Sequence, residues 1–238
     1  MKTRYLLINL GLIAALLLAG CSFAARVGAL RTESQSVELG EAKSVRVAIA
    51  MGAGDLEVTG SAEKLLEAGF NYNVDKLKPE VEYTDGKLVV RQPDIQGFPV
   101  LQNITDFRNE WNLHLNNEVP MDLRVDMGGG TSYLQLAGSS LTGLDITLGA
   151  GQSTIDLSGG WARDLDVTID AGAANVSLRL PKDVSARVKV ESGPHTIEAT
   201  DMTKDGDVYT NAAYGMSAVT MQVDMGAGIG QISLDVEK

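Results

Sequence analysis

The side chains best suited to metal or proton chemistry are two histidines, and neither has the company that chemistry needs. His114 and His195 stand in alternating, strand-like segments with no H-x-x-x-H or H-E-x-x-H spacing and no cysteine partner. Zinc needs three or four ligands converging on one point, and a nucleophile needs a base within reach. Four glycine pairs, Gly52/Gly54, Gly128/Gly130, Gly149/Gly151 and Gly226/Gly228, could suggest phosphate binding. Neither a following helix nor a Lys-Ser/Thr pair accompanies them, so they read as structural turns, together with Gly172 and Gly193. A repeat of 21 residues would put Asp145 and Asp166 in one column, and Gly128, Gly149, Asp170 and Glu191 in another. Carboxylates stacked about 5 Å apart on adjacent strands can hold calcium. The calcium nonapeptide of β-rolls is absent, and a solvated acidic face that resists edge aggregation explains the same residues. Paired carboxylates also serve glycoside hydrolysis. With 6 Tyr, 4 Phe and 2 Trp, however, the chain has few rings to stack on sugars. The expectation is therefore no enzyme, with no catalytic, cofactor-binding or metal-binding residue assigned.

Cys21 is the only cysteine, so no internal disulfide can form. Lys2 and Arg4 open the chain, an almost wholly apolar run covers residues 5–18, and Ala19 and Gly20 are small. That order is the layout of a secretory signal, and the run is too short to favour a spanning helix of about 20 residues. Leu18-Ala19-Gly20-Cys21 resembles the bacterial lipobox. The resemblance implies cleavage between Gly20 and Cys21, lipid on the Cys21 sulfur, and acylation of the new amine. The chain is thus expected to be an exported lipoprotein held at a cell membrane by its acyl chains, facing away from the cytoplasm. Apart from that covalent lipid no cofactor is expected.

Charge agrees with this. The 238 residues carry 20 basic and 31 acidic side chains, net −11. Losing Lys2 and Arg4 with the signal leaves 18 against 31, net −13. Such a surface repels nucleic acid and anionic headgroups, so the anchor rather than electrostatics must hold the membrane.

The elements that would position any site come from an internal repeat. Gly130, Gly151, Gly172 and Gly193 are 21 residues apart. Before each stand alternating apolar residues, such as Leu144, Ile146 and Leu148 before Gly151, and after each stand two more, such as Ile155 and Leu157. The pattern returns around Gly228 after a polar surplus, and an earlier copy surrounds Gly54. A period of two means strands with one buried face, and glycine permits the tight corner between them. One unit cannot bury its own face, so neighbours must stack. The spacing predicts an all-β fold: a β-solenoid of stacked, roughly 21-residue two-strand coils with G-x-G corners. An antiparallel stacked β-meander with hairpins at the glycines fits the same alternation.

Residues 61–120 fall outside the 21-residue step but still alternate. Asp85-Gly86 between two short apolar runs predicts a hairpin. Residues 98–107 read as a loop, 61–67 as one helical turn at most, and Trp111 as a core or capping aromatic. The expected organisation is a signal at 1–20, a lipidated cysteine and linker at 21–38, an N-terminal β region at 39–122 and a repeat region at 123–238 with an insertion at 201–214.

Several segments carry a family likeness. Lys64-Leu65-Leu66-Glu67-Ala68, Phe70-Asn71-Tyr72-Asn73, the run from Leu77 to Tyr83, Arg91-Gln92, Asn109-Glu110-Trp111, and Val119 to Leu123 followed by Met127-Gly128-Gly129-Gly130 resemble the toast-rack family of bacterial envelope proteins. That family is similar to the exported domain of cell-wall-active antibiotic response proteins and to adhesin-like β-solenoid domains. The resemblance covers about residues 40–238. It implies a repetitive all-β envelope domain and carries over no active-site residue. The expected role is non-enzymatic: an anchored module whose β surface binds or adheres to an envelope protein or polymer. The alternatives are a sensor or regulatory lipoprotein of the envelope stress response and, less well supported by the residues, a carbohydrate-active enzyme.

Overall fold

The structure, a computed structural model, describes residues 27–93, 106–191 and 193–238. The expected signal, the Gly20–Cys21 junction, the lipid site and most of the loop at 98–107 lie outside the described residues. In chain order the strands are β1 (Arg31–Val37), β2 (Val45–Ala62), β3 (Leu66–Tyr72), β4 (Glu80–Thr84), β5 (Lys87–Arg91), β6 (Asn109–Asn116) and β7 (Met121–Gln135). They continue with β8 (Leu141–Asp156), β9 (Leu165–Leu180), β10 (Ser185–Val190), β11 (His195–Thr200), β12 (Met202–Asp205), β13 (Val208–Asn211) and β14 (Thr220–Val236). The helical turn expected within 61–67 is absent; those residues end β2, bend and begin β3. A short 3-10 turn, Asp75–Leu77, stands instead between β3 and β4.

Five strands, β2, β7, β8, β9 and β14, are 15 to 18 residues long and pair in parallel in that order. Laid flat, each would extend about 50 Å. Yet residues 136–140 alone join the end of β7 to the start of β8. Five residues reach roughly 17 Å. Each long strand must therefore fold over, so that its end returns beside its start. The antiparallel meander is excluded for this stack. The glycine sites are folds within one continuous strand rather than corners between separate strands.

Burial shows where each strand folds. In β8, Leu144, Ile146 and Leu148 are buried before the fold and Ser153 and Ile155 after it. The inward face passes from even to odd positions within a few residues. Every other long strand makes the same switch, as with Met127 and Leu134 in β7. Gly54, Gly130, Gly151 and Gly230 make it at φ of +146°, +117°, +130° and +152°. Both halves then point their apolar side chains into one shared core. The buried hydroxyls of Ser132 and Ser153 satisfy each other at 2.7 Å.

The register departs from the expected step in two places. Leu123 pairs with Leu144, a step of 21, but Leu144 pairs with Val167, a step of 23. The connection from β8 to β9 is longer, and its Trp161 folds inward, buried, with Nε1 donating to the Leu157 carbonyl at 2.8 Å. Gly172 therefore lies over Gly149, and Ala174 follows Gly151 in its column. The last fold uses Gly228 and Gly230, while Gly226 lies beside Asp170. The second departure is order. β14 inserts between β9 and β10, so Leu165 and Ala186 flank Met221 instead of each other. All three face the core.

Antiparallel strands close one end of the stack in both halves and the other end in its first half. At one end the first halves continue through β5 and β4, whose turn at Asp85 and Gly86 has φ of +51° and +74°. The second halves continue there through β6, β3 and β1. Trp111 is buried in this cap, edge-on to Phe70 at 5.5 Å between ring centres. At the other end β10 is followed by the β12–β13 hairpin formed by the polar surplus, whereas β11 alone follows the second halves.

The edge strand β1 is held by charge as well as by pairing. The Tyr72 hydroxyl donates to Glu33 at 2.6 Å, and Lys78 lies 3.1 Å from the same carboxylate. The hydrogen bond from Tyr72, then that from Lys78, holds the Glu33 carboxyl below its usual value. Burial, then the bond to Glu33, pushes Tyr72 up to about 12. A lowered carboxyl stabilises the fold above its unfolded pKa and loses that contribution as pH falls through the folded value. A raised phenol contributes fully below its unfolded value and loses that as pH rises from about 10 to about 12. Amide protection in β1, corrected for the intrinsic pH dependence of exchange, should therefore be highest on a neutral plateau and fall on both sides. Glu33→Gln should flatten the acid limb; an unchanged acid limb would place the sensitivity elsewhere.

Candidate binding surface

Residues pointing out of a folded strand form two outer faces, one for each half. On the first-half face charges of both signs are mixed. Asp122, Asp166, Gln222 and Arg187 share one set of neighbouring positions, and Arg124, Asp145, Thr168, Asp224 and Lys189 another. Arg124 bonds Asp126 at 2.8 Å. The 23-residue step parts Asp145 from Asp166: Asp145 sits between Arg124 and Thr168. The column expected for Gly128, Gly149, Asp170 and Glu191 is broken too, since Asp170 pairs with Thr147 and Gly226. Among the described residues no three metal-capable side chains come together.

The second-half face is different. Across β7, β8, β9 and β14 its first row reads Thr131, Gln152, Asn175 and Gln231, and its second Tyr133, Thr154, Ser177 and Ser233. None of the eight is ionised at neutral pH. Acids stand at the borders: Asp55 and Glu57 on β2, Glu198 on β11, and Asp156 with Arg179 in the row beyond. Tyr133 is 50% exposed. The Gln231 backbone N–H donates to Asn175 Oδ1 at 3.0 Å, which fixes that amide. A shallow groove of about 310 Å³ runs over these strands, lined by Gln152, Thr154, Asn175, Ser177, Gln231 and Ser233, with Ser153 and Val176 beneath. Alternation predicts polar residues on an outer face. That the centre of one face is neutral while the other face is charged shows only once the fold separates the strand halves.

A larger cleft, about 650 Å³, opens at the far end between β11 and the β12–β13 hairpin. Val190, Ile197 and Tyr209 line its apolar side; Glu191, His195, Lys204 and Asp207 line the rest. Lys204 lies over the Tyr209 ring at 5.3 Å.

The two histidines take part in framework contacts. His114 Nδ1 lies 2.7 Å from Thr59 Oγ1 and 3.2 Å from Ser61 Oγ, tying β6 to β2. His195 Nδ1 lies 3.2 Å from the Ala227 carbonyl oxygen. Neither ring is bonded to a carboxylate among the described residues. Of the expected turn glycines, Gly54, Gly130 and Gly151 take positive φ. Gly52, Gly128, Gly149, Gly172 and Gly228 form the neighbouring column of close backbone approach. Gly193 is an exposed bend beside the Ala227 carbonyl.

The family model described as the N-terminal domain of toast_rack matches residues 26–179, more than half of the chain. No curated protein matches. Among solved structures, one from Clostridium sporogenes, described as a proposed cell adhesion protein, is 29% identical. It covers 88% of this chain and 100% of its own, with a TM-score of 0.84. A proposed adhesin from Bacteroides fragilis covers 86% of this chain and 97% of its own, at 11% identity and a TM-score of 0.34.

Proposed function

The chain belongs to the toast-rack family, and from that premise we propose that it is a non-enzymatic, lipid-anchored envelope module that adheres through its β surface. The observation that carries this is the patch of eight uncharged polar side chains at the centre of the second-half outer face, set on a two-layer stack. A face of this kind offers many weak, in-register contacts and no converging reactive groups, which suits adhesion better than turnover. The adhesive description of the Clostridium sporogenes structure supports the same reading, as do the framework contacts of both histidines.

Cys21 is the proposed attachment point. Nine residues lie between it and Arg31, the first residue of β1. Fully extended, that length of chain spans at most about 35 Å, which bounds how far the stack could stand from such an anchor. Cells fed a labelled fatty acid test the anchor. Wild-type protein should carry label and sediment with membranes, while Cys21→Ala should lose the label and fail to be processed at Gly20. Unlabelled wild-type protein would remove the anchor from the proposal. Adhesion is tested by comparing attachment of cells with and without the protein to a cell-wall-coated surface; equal attachment would remove the adhesive role.

A further inference from the structure

We propose that the outer face of the second strand halves binds a neutral glycan strand; this rests on the adhesive reading and names the ligand class of that surface. Charge gives the first argument. The chain is net −11, yet the centre of this face holds no ionised group. Bordering Asp55, Glu57 and Glu198 would repel an anionic polymer. An uncharged ligand meets no such barrier.

Side-chain chemistry gives the second. A sugar presents hydroxyls that both donate and accept, and amides and hydroxyls answer in kind. Gln152, Asn175 and Gln231 place one amide on each of three successive strands, about 4.8 Å apart. With its Oδ1 engaged by the Gln231 N–H, Asn175 is held so that its NH2 group remains a donor, which lowers the ordering cost of binding. Tyr133, half exposed at one end of the second row, offers an aromatic platform for the apolar face of a pyranose. The groove over β8, β9 and β14 gives such a strand a bed. A protein partner would call for a larger apolar and aromatic centre than this face has.

The test uses the full-length protein in detergent micelles, titrated calorimetrically with three neutral hexasaccharides: hexa-N-acetylchitohexaose, cellohexaose and maltohexaose. A hexamer of galacturonic acid is the anionic comparison. Saturable binding is expected for at least one neutral hexamer, with none for the anionic one. Tyr133→Ala and Gln152→Ala should each weaken it about tenfold. Both positions are exposed, so thermal unfolding should confirm an intact fold. Asp145→Asn, on the opposite face, should bind as wild type. The inference fails if no neutral hexamer binds, if the anionic hexamer binds better, or if both variants bind as wild type. The attachment assay separates the two failures. Wild-type attachment without glycan binding, or attachment lost on protease treatment of the coated surface, sinks the glycan and leaves adhesion standing. No attachment sinks the adhesive reading itself.

Discussion

Gly151→Ala is expected to destabilise the protein by about 3 kcal/mol or more, with the loss read as a lower urea midpoint at unchanged slope. Two effects add. Gly151 has a φ of +130°, which L side chains rarely adopt. A Cβ there would also drive into the Gly130 carbonyl oxygen of the neighbouring strand. A flexible side chain could move aside, but this obstacle is backbone held in the ladder, with Gly130 and Ala174 paired on the two sides of Gly151. Relief would require separating two parallel strands where the layers fold. Gly160→Ala is the control. Nothing lies within 4 Å of a Cβ at Gly160, and its φ is not in the left-handed region. That change should be neutral or slightly stabilising. If Gly151→Ala unfolded within about 0.5 kcal/mol of wild type, the fold would not depend on glycine there.

Ala174 shows why the glycine requirement belongs to a position and its backbone rather than to the repeat as such. It occupies the column of Gly130 and Gly151 but takes no positive φ, and its methyl is buried. The sequence spacing runs through Gly172 because the 23-residue step brings the first glycine of one coil, Gly149, over Gly172. Counting 21 residues from Gly151 thus reaches a glycine of the other column.

Much of the architecture is legible in local pattern. Alternation identifies the inward residues, paired glycines mark the folds, and Asp85-Gly86 marks its hairpin. Strand order is not legible in this way. Val167, Val223 and Val188 sit side by side, and interchangeable aliphatic residues cannot say which neighbour is which. That decision lies in the polar surplus: the hairpin it forms covers the free edge of β10, and β14 takes the edge between β9 and β10. The two extra residues before β9 are likewise accommodated by Trp161 folding inward, a packing event with no periodic signature. The neutral face was hidden for a related reason. Its residues appear in sequence as ordinary polar members of an alternation, and they become one surface only after every strand folds at its glycine.

Leu157→Asp should abolish cooperative unfolding at neutral pH, leaving a protein without native circular dichroism. Leu157 is fully buried just past the end of β8, in the core shared by both layers. Its N–H donates to the Arg179 carbonyl at 2.9 Å, and its own carbonyl receives Trp161 Nε1. The main-chain site is therefore fixed from two sides and cannot rotate the side chain outward without releasing Trp161. Removing the leucine alone costs about 2–5 kcal/mol. The aspartate adds a carboxylate with no cation in the apolar core, a burden of several kcal/mol more. Together these approach the whole stability of an ordinary domain, about 5–15 kcal/mol. Leu157→Ala separates the contributions, since it should remain folded with a lowered midpoint. Acidification should restore part of the aspartate variant's structure, because a neutral carboxyl is cheaper to bury than a charged one. Wild-type cooperativity in Leu157→Asp at neutral pH would mean that position 157 reaches water and that the two layers do not close over a common interior.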